Sequence, residues 1–178
     1  MTSLRVSTHD VRSLRPDELR AASDLFMAAL LGRPVPDADW ERVLASHEPG
    51  RALGAHADGE LVGTSVSFTA GIVVPGGPEL PTAAVTGVGV RADRTRQGVL
   101  SALMRHQLTE RAAAGDVLAA LRATEARIYG RFGYGIASSR VHSLVDSRMS
   151  GYVPGIRIGG GRVRRLSTEA ARPALRAA

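Results

Sequence analysis

Apolar residues recur along the chain with two spacings, and the switches between them lay out the elements. Leu4 to Val11 has weak strand character. From Pro16 the spacing lengthens to three and four, with Leu19, Ala22, Leu25, Phe26 and Ala29 on one side. That pattern predicts a helix, and proline suits its first turn. Asp37 to Ser46 predicts a second short helix, with Asp37 as N-cap and Trp40, Val43 and Leu44 on one face. Arg51 to Ala57 and Leu61 to Thr69 are strand-like and flank Asp58-Gly59, residues suited to the positive φ angles of a tight hairpin. Val74-Pro75-Gly76-Gly77-Pro78 marks a second turn.

Ala83 to Val90 is apolar on both faces, which predicts an interior strand. After a polar, arginine-rich turn, Leu100, Leu103, Met104 and Leu108 predict a helix over Val99 to Ala114, with Gly115 at C′. A short buried strand over Val117 to Leu121, a helical turn over Glu125 to Phe132 and an alternating strand over Ile136 to Val145 follow. Beyond the linker-like Gly159-Gly160-Gly161, Ser167 to Ala177 reads as another helix. The order predicts an α/β (α+β) sheet with at least one βαβ unit. One domain is expected over residues 1–150, with 151–178 a linker and the truncated start of a second.

Composition narrows the function classes. A chain of 178 residues holds one domain with a sizeable core, and 44% hydrophobic with 22% charged residues is ordinary for a globular protein. No apolar run approaches the roughly 20 residues that span a bilayer. Met1-Thr2-Ser3-Leu4-Arg5 lacks the apolar core of a secretory signal. With no cysteine there is no disulfide framework and no cysteine metal site, so a cytoplasmic, metal-free protein is expected.

The net charge of +6 comes entirely from arginine, since all 23 basic residues are Arg. An Ala-, Gly- and Arg-rich chain is what a GC-rich genome encodes, so codon usage accounts for part of that charge. The remainder favours an anionic partner: nucleic acid, a membrane or a phosphorylated cofactor. Seven aromatic residues (one Trp, three Tyr, three Phe) are too few for a stacking surface, and no nucleic-acid-binding motif spacing is present. Neither nucleic acid nor membrane is expected as a partner.

The chemistry concentrates in Arg94-Thr95-Arg96-Gln97-Gly98-Val99-Leu100, between a strand and a helix. Amides at a helix N-terminus lack intrahelical partners, and the helix dipole adds positive charge, so phosphate is favoured there. Gly98 allows close backbone approach, and Arg94 and Arg96 can add charge-assisted contacts. The loop alone is equally consistent with an ordinary arginine-rich turn. It is not a Walker A loop or a dinucleotide fingerprint, because the lysine and the glycine spacing are missing.

This strand–loop–helix resembles motif A of the GNAT superfamily, Q/R-x-x-G-x-G/A, which cradles the pyrophosphate of acetyl-CoA. The run Ala119-Ala120-Leu121-Arg122-Ala123-Thr124-Glu125, continuing through Ile128-Tyr129-Gly130-Arg131-Phe132-Gly133-Tyr134-Gly135, is similar to the Eis acetyltransferases. The resemblance spans roughly residues 7–165. It implies a GNAT fold, a mixed and mostly antiparallel central sheet flanked by helices, with a βαβ acetyl-CoA-binding unit. It also implies that Val88, Gly89 and Val90 pair with the pantetheine arm. Arg96, Gln97, Gly98, Val99, Leu100 and Ser101 would hold the pyrophosphate, and Thr124 and Glu125 would close over the cofactor. Tyr129 would be the general acid; read without the resemblance, it is a packing aromatic. Tyr134 is read as packing, and Arg131 as contacting the cofactor or, the favoured reading, capping nearby carbonyls.

The activity implied is acetyl-CoA-dependent N-acetylation of a primary amine, an aminoglycoside-like molecule, polyamine or protein lysine. The family's hexamers imply a homo-oligomer.

Departures qualify that picture. Thr95 stands where motif A has Gln or Arg, Leu100 where Gly or Ala is usual, and Ala126-Arg127 replaces a Gly-Gly-type pair. Members of the family run to about twice this length, and the family's proposed base is a terminal carboxylate that Ala178 does not match. Asp37, Asp39 and Glu41 lie in the region that would border the acceptor pocket and could attract a cationic amine; a solvated helix start explains them equally well. The histidines (His9, His47, His56, His106, His142) are scattered, and none is singled out as a base. The alternative reading is a truncated, non-catalytic acyl-CoA-binding or oligomerisation module.

Overall fold

The structure is a computed structural model and describes residues 9–151, 155 and 165–176. Leu4 to Thr8, the glycine run at 159–161 and Ala177 lie outside the described residues. Five strands form one sheet: β1 (Asp10–Ser13), β2 (Ala52–Ala57), β3 (Glu60–Val73), β4 (Glu79–Val90) and β5 (Leu118–Leu121). They lie side by side in chain order, antiparallel from β1 to β4, and β4–β5 is parallel. A parallel pair needs a crossover, and α3 (Val99–Ala113) supplies it, completing the expected βαβ unit. Helices α1 (Leu19–Ala29) and α2 (Asp37–Ala45) fill the connection between β1 and β2.

Each face of the sheet has its helix, and a bulge at Val62, where Gly63 opposes Ala55 and Leu61 opposes His56, sends Val62 to the face opposite Val66. Val66 and its partner Ala52 bury against Leu19 of α1, with Trp40 and Phe68 packed around them. On the opposite face Leu53, Ala55 and Val62 bury against Val99 and Leu103 of α3. Each fully buried aliphatic side chain stabilises the fold by roughly 1.5–3 kcal/mol. Gly63 lets α3 approach: a Cβ there would lie 2.6 Å from Val99 Cγ1 and 2.9 Å from Leu103 Cδ1. Gly89 does the same on the α1 side, where a Cβ would lie 3.0 Å from Phe26 Cα.

The hairpin at Asp58-Gly59 forms with φ of 53° and 79°, as its residues predict. Gly115, at φ 95°, follows the end of α3 as expected. Three local expectations change. Pro36, not Asp37, occupies the N-cap of α2, and Asp37 is its first helical residue. The strand over Val117 to Leu121 begins at Leu118 and is a half-exposed edge, because among the described residues β4 is its sole neighbour in the sheet. Residues 136–145 form no strand, and Ile136, Val141, Leu144 and Val145 are exposed. Alternating apolarity is a local signal and becomes a strand only when the segment pairs with a neighbour.

The chain divides between Ala137 and Ser138 into two units. In the second, Asp146 pairs with Arg148 at 3.2 Å, and α4 (Thr168–Arg176) begins where Ser167 Oγ accepts the Ala170 amide at 3.2 Å. Among the described residues, no helix is long and apolar enough to cross a membrane.

Candidate active site

The sheet opens at the far end of β4. Pairing with β5 runs from Thr82↔Leu118 to Val85↔Leu121 and stops, while β4 continues to Val90. Just beyond Val85 the β3–β4 register shifts: Thr86 pairs with Val66 and Gly89 with Thr64, so Gly87 and Val88 oppose Ser65 alone. Gly87 takes φ +59° in this bulge, a conformation that costs glycine little. The Arg91 amide donates to Val62 O at 3.0 Å, toward β3. Strand alternation then turns the amide and carbonyl groups of Val90 and Val88 to the other edge, where β5 no longer pairs.

The predicted phosphate loop stands at that opening. Arg96 (φ 60°) and Gly98 (φ 89°) both adopt left-handed backbone, and Gly98 is the N-cap of α3. The first bond within this helix is Ala102 N–H to Gly98 O at 2.9 Å, so the amides of Val99, Leu100 and Ser101 precede the ladder. Side-chain bonds brace the loop: Thr95 Oγ1 donates to Ala92 O at 3.1 Å and Gln97 Nε2 to Asp93 O at 3.2 Å. His9 Nε2 lies 2.8 Å from Gln97 O.

The two arginines differ. Arg94 turns toward Asp58, Glu60 and Asp93, at 3.9–4.0 Å, whereas Arg96 is exposed. Arg91 holds Asp93 and Glu60 at 2.8 Å each, and its hydrogen bond keeps the Asp93 carboxyl below the usual range.

Val88, Gly89 and Val90 therefore meet Arg96, Gln97, Gly98, Val99, Leu100 and Ser101 at one strand–loop–helix corner. Thr124 and Glu125, both exposed, leave the C-terminal end of the parallel neighbour β5. Tyr129 sits between the short 3-10 turns Ala126–Ile128 and Gly130–Phe132. Its ring meets Tyr134 edge-on, centroids 5.9 Å apart, and burial raises its pKa. Burial, and secondarily the charge of Tyr129, pushes Tyr134 up to about 12. Arg131 lies over the Phe132 ring at 4.9 Å, a stacking contact in place of the expected carbonyl capping.

A cavity of about 210 Å³ reaches the β4 bulge from the α1–α2 side. Its walls are largely apolar (Leu19, Phe26, Met27, Val43, Val66 and Phe68), and Thr86 and Gly87 of the bulge border it. No carboxylate or guanidinium is among its lining residues. Asp37 and Asp39 instead hold Arg20 at 2.8 Å and Arg42 at 3.1 Å, and neither they nor Glu41 border it. A larger groove of about 770 Å³ between β1 and α3 is open and contains none of the predicted site residues, so size alone does not mark this site. Among the described residues, no group of three or more His, Asp or Glu is arranged to hold a metal.

The family described as acetyltransferase (GNAT) domain matches residues 10–137. The chain belongs to this family. The chain is 41% identical over 142 residues to an uncharacterized N-acetyltransferase of Streptomyces avermitilis, a match covering 79% of this chain and 34% of that one. The N-acetyltransferase Eis of Mycobacterium tuberculosis is 38% identical over 114 residues, covering 62% of this chain and 28% of Eis. Among solved structures, Eis1 of Mycobacterium abscessus superposes with TM-score 0.65 at 45% identity, over 73% of this chain and 32% of that one. The chain thus spans about a third of the length of these relatives.

Two histidines that the sequence left scattered take defined places. His9 meets the loop across 88 residues of sequence, a pairing with no local signal. His47 borders the cavity just after α2, a position visible only once the helix end is known.

Proposed function

We propose that this GNAT domain binds acetyl-CoA at the open end of β4 and transfers its acetyl group to a primary amine. The observation that carries the reading is the end of β4–β5 pairing beside the leading amides of α3. Ligands of open α/β sheets bind outside the carboxyl ends of the strands, where neighbouring connections part. Val88 and Val90 offer unpaired main-chain groups to an amide-bearing arm. The amides of Val99, Leu100 and Ser101, with Arg96, offer the positive end of a helix to a pyrophosphate. Thr124 and Glu125 close the far side of the cleft. The cavity at the bulge receives the acceptor.

Direct transfer needs an acid for the departing thiolate. Burial keeps the Tyr129 hydroxyl protonated at neutral pH, as the acid must be before the step. Tyr134 packs against its ring and limits its rotamers. Replacing Tyr129 by Phe is expected to lower kcat by about 10²-fold, the usual scale for one general acid, with acetyl-CoA affinity unchanged. Thiol release and calorimetric acetyl-CoA binding measure the two. Acetyl-CoA binding with no transfer to any amine would make the domain an acyl-CoA-binding module and overturn the enzyme reading.

A further inference from the structure

The cavity at the β4 bulge has the wrong walls for a polycation. A buried ammonium needs a carboxylate or several acceptors to offset its lost hydration, and none of the lining residues is acidic. Its size is equally selective. About 210 Å³ exceeds the ~150 Å³ apolar cavity that holds a benzene ring, and falls short of the ~300–1,000 Å³ of sites for drug-sized ligands. An aminoglycoside does not enter such a space; a single ring with a short aminoalkyl arm does.

Two polar groups of the lining are placed to meet an amine. Thr64 is fully buried, and its Oγ1 has no hydrogen-bond partner among the described residues. His47 is half-buried, with its ring edge-on to Phe68 at 6.4 Å. Its Nδ1 lies 2.9 Å from the carbonyl oxygen of Val43. A carbonyl only accepts, so the proton of the neutral ring is on Nδ1 and the lone pair is on Nε2. Helix α2 thereby presets one tautomer, the one whose second nitrogen is a base.

We infer that the cavity takes a compact, apolar-bodied primary amine, of the arylalkylamine class, and that His47 Nε2 receives its proton during transfer. The inference rests on the acetyltransferase reading above. The amine enters as its free base, the form an uncharged cavity admits; its nitrogen attacks the thioester carbonyl, and the N–C bond forms as the C–S bond breaks. Nitrogen sheds one proton to His47 Nε2, and sulfur takes one from the Tyr129 hydroxyl. Solvent then returns the proton from imidazolium to phenolate. Thr64 Oγ1 accepts the hydrogen bond that orients the amine.

The test uses the full chain, acetyl-CoA and four acceptors: benzylamine, 2-phenylethylamine, kanamycin and spermidine. The arylalkylamines are expected to show kcat/KM at least about tenfold above the polycations, the scale that a mismatched pocket imposes. Equal or greater activity on kanamycin or spermidine overturns the inference and leaves the acetyltransferase reading standing. No transfer to any of the four, with acetyl-CoA bound, overturns both.

For His47 two variants separate base from helix cap. His47→Gln retains a donor for Val43 O but has no basic nitrogen, and is expected to lose about 10²-fold in kcat at unchanged acetyl-CoA affinity. His47→Ala is expected to regain activity with added imidazole. Full activity of His47→Gln, or a folded His47→Ala that imidazole does not rescue, removes His47 from the chemistry.

Discussion

At the scale of single residues, the N-terminus of α1 shows how one carboxylate ties three segments. Glu18 accepts from Arg12 Nη1 and Nη2 at 2.8 and 2.6 Å and from the Arg15 amide at 2.9 Å. The Arg12 bonds, then the Arg15 amide, depress its pKa from 4.5 to about 2. A carboxylate whose folded pKa lies below its unfolded one stabilises the fold above the unfolded value and loses that contribution as pH falls through the folded value. Glu18→Gln is therefore expected to lower stability at pH 7 in urea melts. The gap to wild type should narrow below about pH 4.5 and close near pH 2. An equal gap at both extremes would assign the loss to packing. Sequence disclosed the proline and the helical period here, but not Glu18, because Arg12 reaches it from a different element.

Between elements, the glycines carry the geometry of the site, and they do so in two ways. Gly98 meets nothing within 4 Å at its would-be Cβ, so Gly98→Ala is a purely conformational change at φ 89°. It is expected to cost about 1–2 kcal/mol, and to weaken acetyl-CoA binding, because relieving the strain reorients the leading amides of α3. Gly63→Ala is the opposite case: its strand backbone is ordinary, but the new methyl meets Val99 and Leu103 at 2.6 and 2.9 Å. Prising α3 off β3 is expected to cost roughly 1–3 kcal/mol, read as a fall in Tm, and to weaken acetyl-CoA binding as well, because Val99 carries one of the leading amides.

The legibility of these elements follows their range. The Asp58-Gly59 hairpin, α3 and its loop were readable because their signals are local: turn chemistry, helical period, a glycine before an apolar run. The β4 bulge was not. Gly87 and Gly89 sit two apart in an apolar strand, and only pairing with β3 shows that the first bends the strand while the second admits α1. Residues 136–145 failed for the converse reason: alternation is a local signal, and the segment carries it without pairing with any strand.

Across the whole GNAT domain, charge and apolarity divide the two substrates between them. The chain's net charge of +6 comes from outside residues 10–137, a span in which 14 arginines meet 15 Asp and Glu; at the loop Arg91 and Arg94 are committed to Glu60, Asp93 and Asp58, leaving Arg96 exposed. The acceptor cavity has no charged lining. Salt should therefore act on one substrate and spare the other. Raising NaCl from about 0.05 to 0.5 M shortens the Debye length from about 14 to 4 Å, which screens an exposed guanidinium–phosphate pair while barely touching apolar burial. The acetyl-CoA Kd is expected to rise about three- to tenfold over that range, measured by calorimetry. The KM for benzylamine should shift less than about twofold, because excess salt, if anything, strengthens apolar contacts. A salt-independent Kd would mean that neutral backbone amides alone hold the pyrophosphate, taking Arg96 out of the site while keeping the helix terminus in it. A benzylamine KM rising in step with the acetyl-CoA Kd would place a charged group at the acceptor, contrary to the lining of the cavity.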